Sequence, residues 1–240
     1  MNDRSLPHEY GGPREDVLAE LNQEAPSRWL SPAELDWFGK LKGERRRNDW
    51  LAGRWCVKRL LPRIEAVESR LGIDQRLSRR DVSVLSTNPR GQASRPTLYF
   101  AGMASWLAIS IAHSDRQVCA AIAPWPQARV GIDVVDRVEH CSALAATWFT
   151  PREQALVARR RDPLDTLRIW SAKEASYKAL VSNRAFEPLS IEVELESSYA
   201  GEARIKHGLP AGQHLRTARI LWRDTSHGLR TLAFAQEQLQ

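Results

Sequence analysis

The chain has 240 residues, and its 35 Lys and Arg outnumber 29 Asp and Glu, giving a pI near 9.5 that favours anionic partners. Cys56, Cys119 and Cys141 are widely separated and lack paired spacing, so neither a disulfide framework nor a zinc site is indicated. No apolar run reaches transmembrane length and the first fifteen residues carry no signal-peptide core, so a cytoplasmic protein without a membrane partner is expected.

Residues 1–28 read as a polar, proline-containing lead-in. Ser31-Pro32-Ala33-Glu34 is a capping box with proline at the first helical position and predicts a helix over 32–41, with further helices over 44–60 and 62–71. Strands are predicted near 82–86, 97–100, 106–112, 117–123 and 130–135. The pair of prolines in Pro124-Trp125-Pro126 disfavours helix and central strand, and predicts a crossover between an N-terminal lobe, 1–123, and a C-terminal lobe, 124–240. The second lobe is predicted to hold helices over 140–147, 151–161 and 163–182, then strands over 189–195, 202–207, 215–223 and 229–236.

The two halves echo one another. At an offset of 119, Thr150-Pro151-Arg152-Glu153 repeats the first capping box, and an ungapped continuation sets Arg54 against Lys173, Trp55 against Glu174 and Arg59 against Lys178. Tryptophan cannot ligate a metal, so only the second half is expected to carry a cation, with basic groups supplied by the first. A site in a cleft between the lobes follows from that expectation.

Three segments carry chemistry. Read as a helix, Trp170 to Leu180 places Trp170, Glu174 and Lys178 on one face at four-residue steps, an arrangement suited to holding a divalent cation and a phosphate side by side. An ordinary helix salt bridge has the same spacing. Val130-Gly131-Ile132-Asp133-Val134-Val135 sets one carboxylate in an apolar strand, where a metal or a turn cap would compensate its charge. Leu107 to Ser114 reads as a strand ending at His113, a residue either structural or facing a phosphate.

Together these segments resemble the 4′-phosphopantetheinyl transferases, particularly the large, surfactin-synthetase-activating type. That family shows a serine-histidine-serine corner, a Gly-Ile-Asp strand about twenty residues later, and a Trp-Ser/Thr-x-Lys-Glu-Ala-x-x-Lys-Ala-Leu helix some forty residues on. Here these fall at His113, Asp133 and Glu174, and Arg45 to Arg54 is similar to the family's first-half arginine segment. The resemblance implies an α+β, pseudo-duplicated two-lobe fold, each lobe having helices packed on a small, mostly antiparallel sheet. One departure stands out: many large-type members place a metal-binding glutamate where this chain has Val135, which makes the third protein ligand doubtful.

The implied activity moves the 4′-phosphopantetheine arm of coenzyme A to a serine of an acyl or peptidyl carrier protein and releases 3′,5′-ADP. By resemblance, Asp133 and Glu174 hold Mg²⁺, or Mn²⁺, Lys178 binds a phosphate oxygen, and Lys173 does the same or meets the carrier. Glu174 acts as base directly or through a metal-bound water. The 3′-phosphate of coenzyme A falls to Arg45 or Arg46, Arg54, His113 and an arginine of the loop 88–96, Arg90 being preferred over Arg95 because Gly91 follows it. A monomer that binds no nucleic acid is expected. The alternatives are a non-catalytic relative that binds carrier domains or nucleotides, and a basic nucleic-acid binder, against which the paired carboxylates argue.

Overall fold

The computed structural model describes residues 6–63, 78–87, 93–123, 128–137, 142–181, 185–206 and 217–236. Its internal contacts divide the chain into two compact units, Met1–Ala128 and Arg129–Gln240. Each unit combines helices with one five-stranded sheet, as the α+β expectation requires. The predicted helix over 62–71 and the crossover at Pro124-Trp125-Pro126 lie almost wholly or wholly outside the described residues.

In the first unit, β1 (His8–Pro13), β2 (Val82–Thr87), β3 (Ala93–Phe100), β4 (Met103–His113) and β5 (Gln117–Ile122) form a sheet of order β1-β5-β4-β3-β2 with antiparallel pairs throughout. Among the described residues four helices accompany it: α1 (Arg14–Leu21), α2 (Pro26–Trp29), α3 (Pro32–Lys40) and α4 (Glu44–Arg59). Gly53 lets α4 lie close on the sheet, since a β-carbon there would stand 2.8 Å from the Ile111 side chain.

Residues 6–28 are not a loose lead-in. β1 pairs with β5 from His8↔Ile122 to Pro13↔Gln117, and Val17 and Leu21 of α1 are buried in the core. A close approach explains the pairing: a β-carbon on Gly11 would lie 2.3 Å from the Val118 carbonyl oxygen, so a side chain there would push the strand off the sheet. Tyr10 and Trp55 both donate to Glu20, fastening α1 to β1 and α4.

The second unit holds β6 (Ala128–Asp136), β7 (Ile191–Leu195), β8 (Ala200–Ile205), β9 (Thr217–Asp224) and β10 (Gly228–Gln236) in the order β6-β10-β9-β8-β7. The pairs β10–β9, β9–β8 and β8–β7 run antiparallel. The helices are α5 (Ser142–Trp148), α6 (Pro151–Arg160) and α7 (Asp165–Leu180), and α7 buries Ile169, Ala172, Ala175 and Ala179 against the sheet.

The repeat is real, but its register differs from the ungapped one. Both capping boxes form, with Ser31 and Thr150 accepting from the backbone of Glu34 and Glu153, whose carboxylates bond back to the cap residues. Each glutamate also takes a fully buried lysine. Lys58 Nζ lies 2.6 Å from Glu34, and Lys173 Nζ lies 2.8 Å from Glu153. The same two ammonium groups donate to the carbonyls of Val82 and Ile191, and the second oxygen of each glutamate accepts from Val84 N–H or Val193 N–H.

Lys58 therefore matches Lys173, an offset of 115, which pairs Trp55 with Trp170 and Arg59 with Glu174. The ungapped register errs by four residues, about one helical turn, and so keeps every side chain near its original face. Its functional consequence is unchanged, because Arg59 no more resembles a carboxylate ligand than Trp55 does.

Candidate functional site

In the second unit, contact between β6 and α7 builds the acidic centre. A β-carbon on Gly131 would stand 1.9 Å from the Ala175 carbonyl oxygen, so glycine permits a strand-to-helix approach closed to other residues. Two residues farther along β6, on the same side of the strand, is Asp133. One residue before Ala175 on α7 is Glu174.

Asp133 is 3% exposed and well supplied with donors. Ser171 Oγ donates to Oδ2 at 2.8 Å, and Lys178 Nζ donates to Oδ1 at 2.8 Å and to the Ile132 carbonyl at 3.1 Å. The Glu174 carboxyl lies beside the Asp133 carboxylate and the Trp170 indole, and both act on its titration. Burial, then the neighbouring Asp133 charge, push Glu174 up to about 7, while Lys178 pulls the other way. Near neutrality Glu174 is thus poised between its neutral and charged forms, where an ordinary glutamate is fully ionised.

The predicted face of Trp170, Glu174 and Lys178 therefore meets Asp133. Glu174 and Lys178 do not simply neutralise each other as an isolated helix pair, since Lys178 bonds Asp133. Ser171 is an addition that helical spacing from Trp170 did not single out, although it stands three residues before Glu174 and seven before Lys178.

Two carboxyl groups pressed together away from water form a poor arrangement for two negative charges and a good one for a hard divalent cation. Among the described residues no three His, Cys, Asp or Glu side chains gather in one place. By strand alternation Val135, not Asp136, shares the side of Asp133, so β6 supplies one carboxylate there. One or two carboxylates completed by waters and phosphate oxygens fit Mg²⁺, which seldom takes an all-protein cage.

Lys173 requires correction. Expected beside phosphate or carrier, it is fully buried, and its three ammonium hydrogens are committed to Glu153, Pro188 O and Ile191 O. Adjacent helix positions are rotated by about 100°, so Lys173 enters the core while Glu174 enters the acidic centre. Lys173 is a core strut with nothing left to offer a ligand.

The first unit contains a separate basic cavity of about 800 Å³, lined in part by Arg45, Arg46, Trp50, Arg54, Ser86 and His113. Helix α4 supplies the three arginines, and the end of β4 supplies His113. Arg54 is 6% exposed, donates from Nη2 to Ser86 Oγ at 3.0 Å, and is pushed down to about 10 by burial against the opposing charge of Glu34. Arg45 is tied to Asp115 and lies 3.9 Å from Asp49, whereas Arg46 has no ion pair among the described residues. Arg90 lies outside the described residues. Trp50 and Ser86 are cavity residues that the sequence motifs did not mark.

Residues 129–235 match the family model described as the 4′-phosphopantetheinyl transferase superfamily, a span that contains Asp133, Ser171, Glu174 and Lys178. No curated protein matches the chain.

Proposed function

We propose, from a second unit that matches the 4′-phosphopantetheinyl transferase superfamily model, that the chain transfers the 4′-phosphopantetheine arm of coenzyme A to a carrier-protein serine. The carrier serine oxygen attacks the phosphorus that bears the pantetheine arm. Its bond to the leaving phosphate breaks, and 3′,5′-ADP departs while the serine proton is taken up. The observation that carries this reading is the pair of neighbouring carboxyl groups, Asp133 and Glu174, with Lys178 bonded to the aspartate.

Asp133 and Glu174 are the residues that would hold Mg²⁺ or Mn²⁺, which when bound supplies charge neutralisation for the pyrophosphate. Ser171 orients Asp133 through its hydroxyl. The Lys178 ammonium, partly exposed beside Asp133, serves the phosphate oxygens, whose charge shifts as the bond to the leaving group breaks. Glu174 is also the group at this centre placed to receive the serine proton, directly or through a water. In the first unit, Arg46, Arg54 and His113 serve the 3′-phosphate, with Arg45 steadied by Asp115.

The test is incubation with coenzyme A, Mg²⁺ and a panel of apo carrier proteins, read by intact mass. Addition of the phosphopantetheine arm to one carrier is expected, with loss of that addition in Asp133→Ala. The single acidic residue of β6 at this centre also suits a relative that binds carriers or nucleotides without transfer. Carrier binding with no mass change across the panel would establish that second reading.

A further inference from the structure

Four side chains of the first unit form a column in which two stacked rings lie between two guanidinium groups. The Arg47 guanidinium carbon lies 4.4 Å from the Phe38 ring centre, Phe38 stacks on Trp50 at 6.0 Å and 26°, and the Arg54 guanidinium carbon lies 4.1 Å over the Trp50 ring. Arg47, Trp50 and Arg54 follow one face of α4 at steps of three and four residues, and Phe38 reaches them from α3.

Arg168, a similarly buried arginine of the second unit, has Asp162 and Asp165 within 2.8 Å, whereas among the described residues no carboxylate lies within ion-pair distance of Arg54. Its Nε is buried without an acceptor. An acid beside Arg54 would hold it in place but would also cancel the charge that an incoming anion needs. An aromatic face attracts the guanidinium through its quadrupole and leaves the net charge intact. Trp50 Nε1 is itself buried without a hydrogen-bond partner, so the contacts this ring makes here are through its faces.

We propose that Trp50, backed by Phe38, is a positioning residue that holds Arg54 in the cavity at full charge and so sets its preference for a phosphate monoester. The proposal rests on the nucleotide reading of that cavity given above, and it adds the residue that governs discrimination.

The experiment compares the KM for coenzyme A with the KM for 3′-dephospho-coenzyme A in wild type, Trp50→Leu, Trp50→Phe and Phe38→Leu. Trp50→Leu is expected to raise the KM for coenzyme A about fivefold to tenfold and that for the dephospho form less than about twofold. Trp50→Phe keeps a π face and recovers most of the discrimination, and Phe38→Leu gives a smaller loss of the same kind. Equal loss on both ligands, the result expected if Trp50 only packs the helix or stacks on the base, would overturn the proposal. So would unchanged discrimination.

Calorimetry of the same proteins with 3′,5′-ADP and 5′-AMP separates this proposal from the nucleotide reading. If wild type binds the two nucleotides equally, the nucleotide reading of the cavity fails. If wild type prefers 3′,5′-ADP and Trp50→Leu weakens both equally, only the positioning role fails. Should Trp50→Leu not fold, Trp50→Phe and Phe38→Leu carry the comparison.

Discussion

Gly131 and Ala175 touch so closely that a β-carbon on the glycine would stand 1.9 Å from the alanine carbonyl oxygen. That contact fixes the separation of β6 from α7, and with it the meeting of Asp133 and Glu174. Gly131→Ala should therefore act on both stability and site. Overpacking of this kind costs about 1–3 kcal/mol, and the clash here is with backbone, which yields less readily than a side chain. Thermal unfolding should show a lowered Tm, and the stabilisation that Mg²⁺ gives the wild-type protein should shrink in the variant. An unchanged Tm together with an unchanged Mg²⁺ response would disconnect this contact from the acidic centre.

The raised Glu174 makes a distinct pH prediction. Below its ordinary value of 4.5 the group is protonated whether folded or unfolded and contributes no pH dependence. As pH rises from there towards about 7, the unfolded chain ionises first while the folded protein keeps its proton. Stability thus falls across that window and levels off above it. Unfolding measured in metal-free buffer from about pH 4 to pH 8 should show this decline in wild type relative to Glu174→Gln. Parallel curves for the two proteins would refute the assignment.

Lys173→Met should destabilise the protein by about 3–5 kcal/mol, because it strands Glu153 as an uncompensated buried charge. The same loss is expected for Lys58→Met, which strands Glu34. Adding Glu153→Gln to Lys173→Met should recover part of the stability by removing the orphaned charge. Urea unfolding of these variants measures all three effects. A Lys173→Met protein with wild-type stability and a specific defect in coenzyme A use would return Lys173 to the ligand.

Arg45 and Arg46 are neighbours with different commitments. Asp115 and Asp49 draw on the charge of Arg45, while Arg46 has no such partner among the described residues. Arg46→Ala should weaken coenzyme A more than Arg45→Ala does, with the gap narrowing as salt screens the exposed charges. Calorimetry at two ionic strengths decides between them; a larger loss at Arg45 would reverse the assignment.

Local signals were legible in the sequence. Both capping boxes form where their Ser/Thr-Pro-x-Glu pattern begins, because cap, proline and acid act within one turn. The face holding Trp170, Glu174 and Lys178 follows from helical geometry alone, and Asp133 stood out because an apolar strand makes a carboxylate conspicuous. Within the polar, proline-containing stretch before Arg28, β1 was not legible, because its pairing with β5 depends on residues far along the chain.

The sequence by itself determined which residues share a helix face and which strand carries the buried acid, since those properties depend on neighbours a few residues away. Only the tertiary structure decided what each face meets. It sent Lys173 into the core beside Glu153 and Glu174 to Asp133, one residue apart in the chain. It also set the repeat at Lys58 and Lys173. A shift of one helical turn leaves side-chain directions nearly unchanged, so periodicity could not distinguish that register, and only the buried partner of each lysine could.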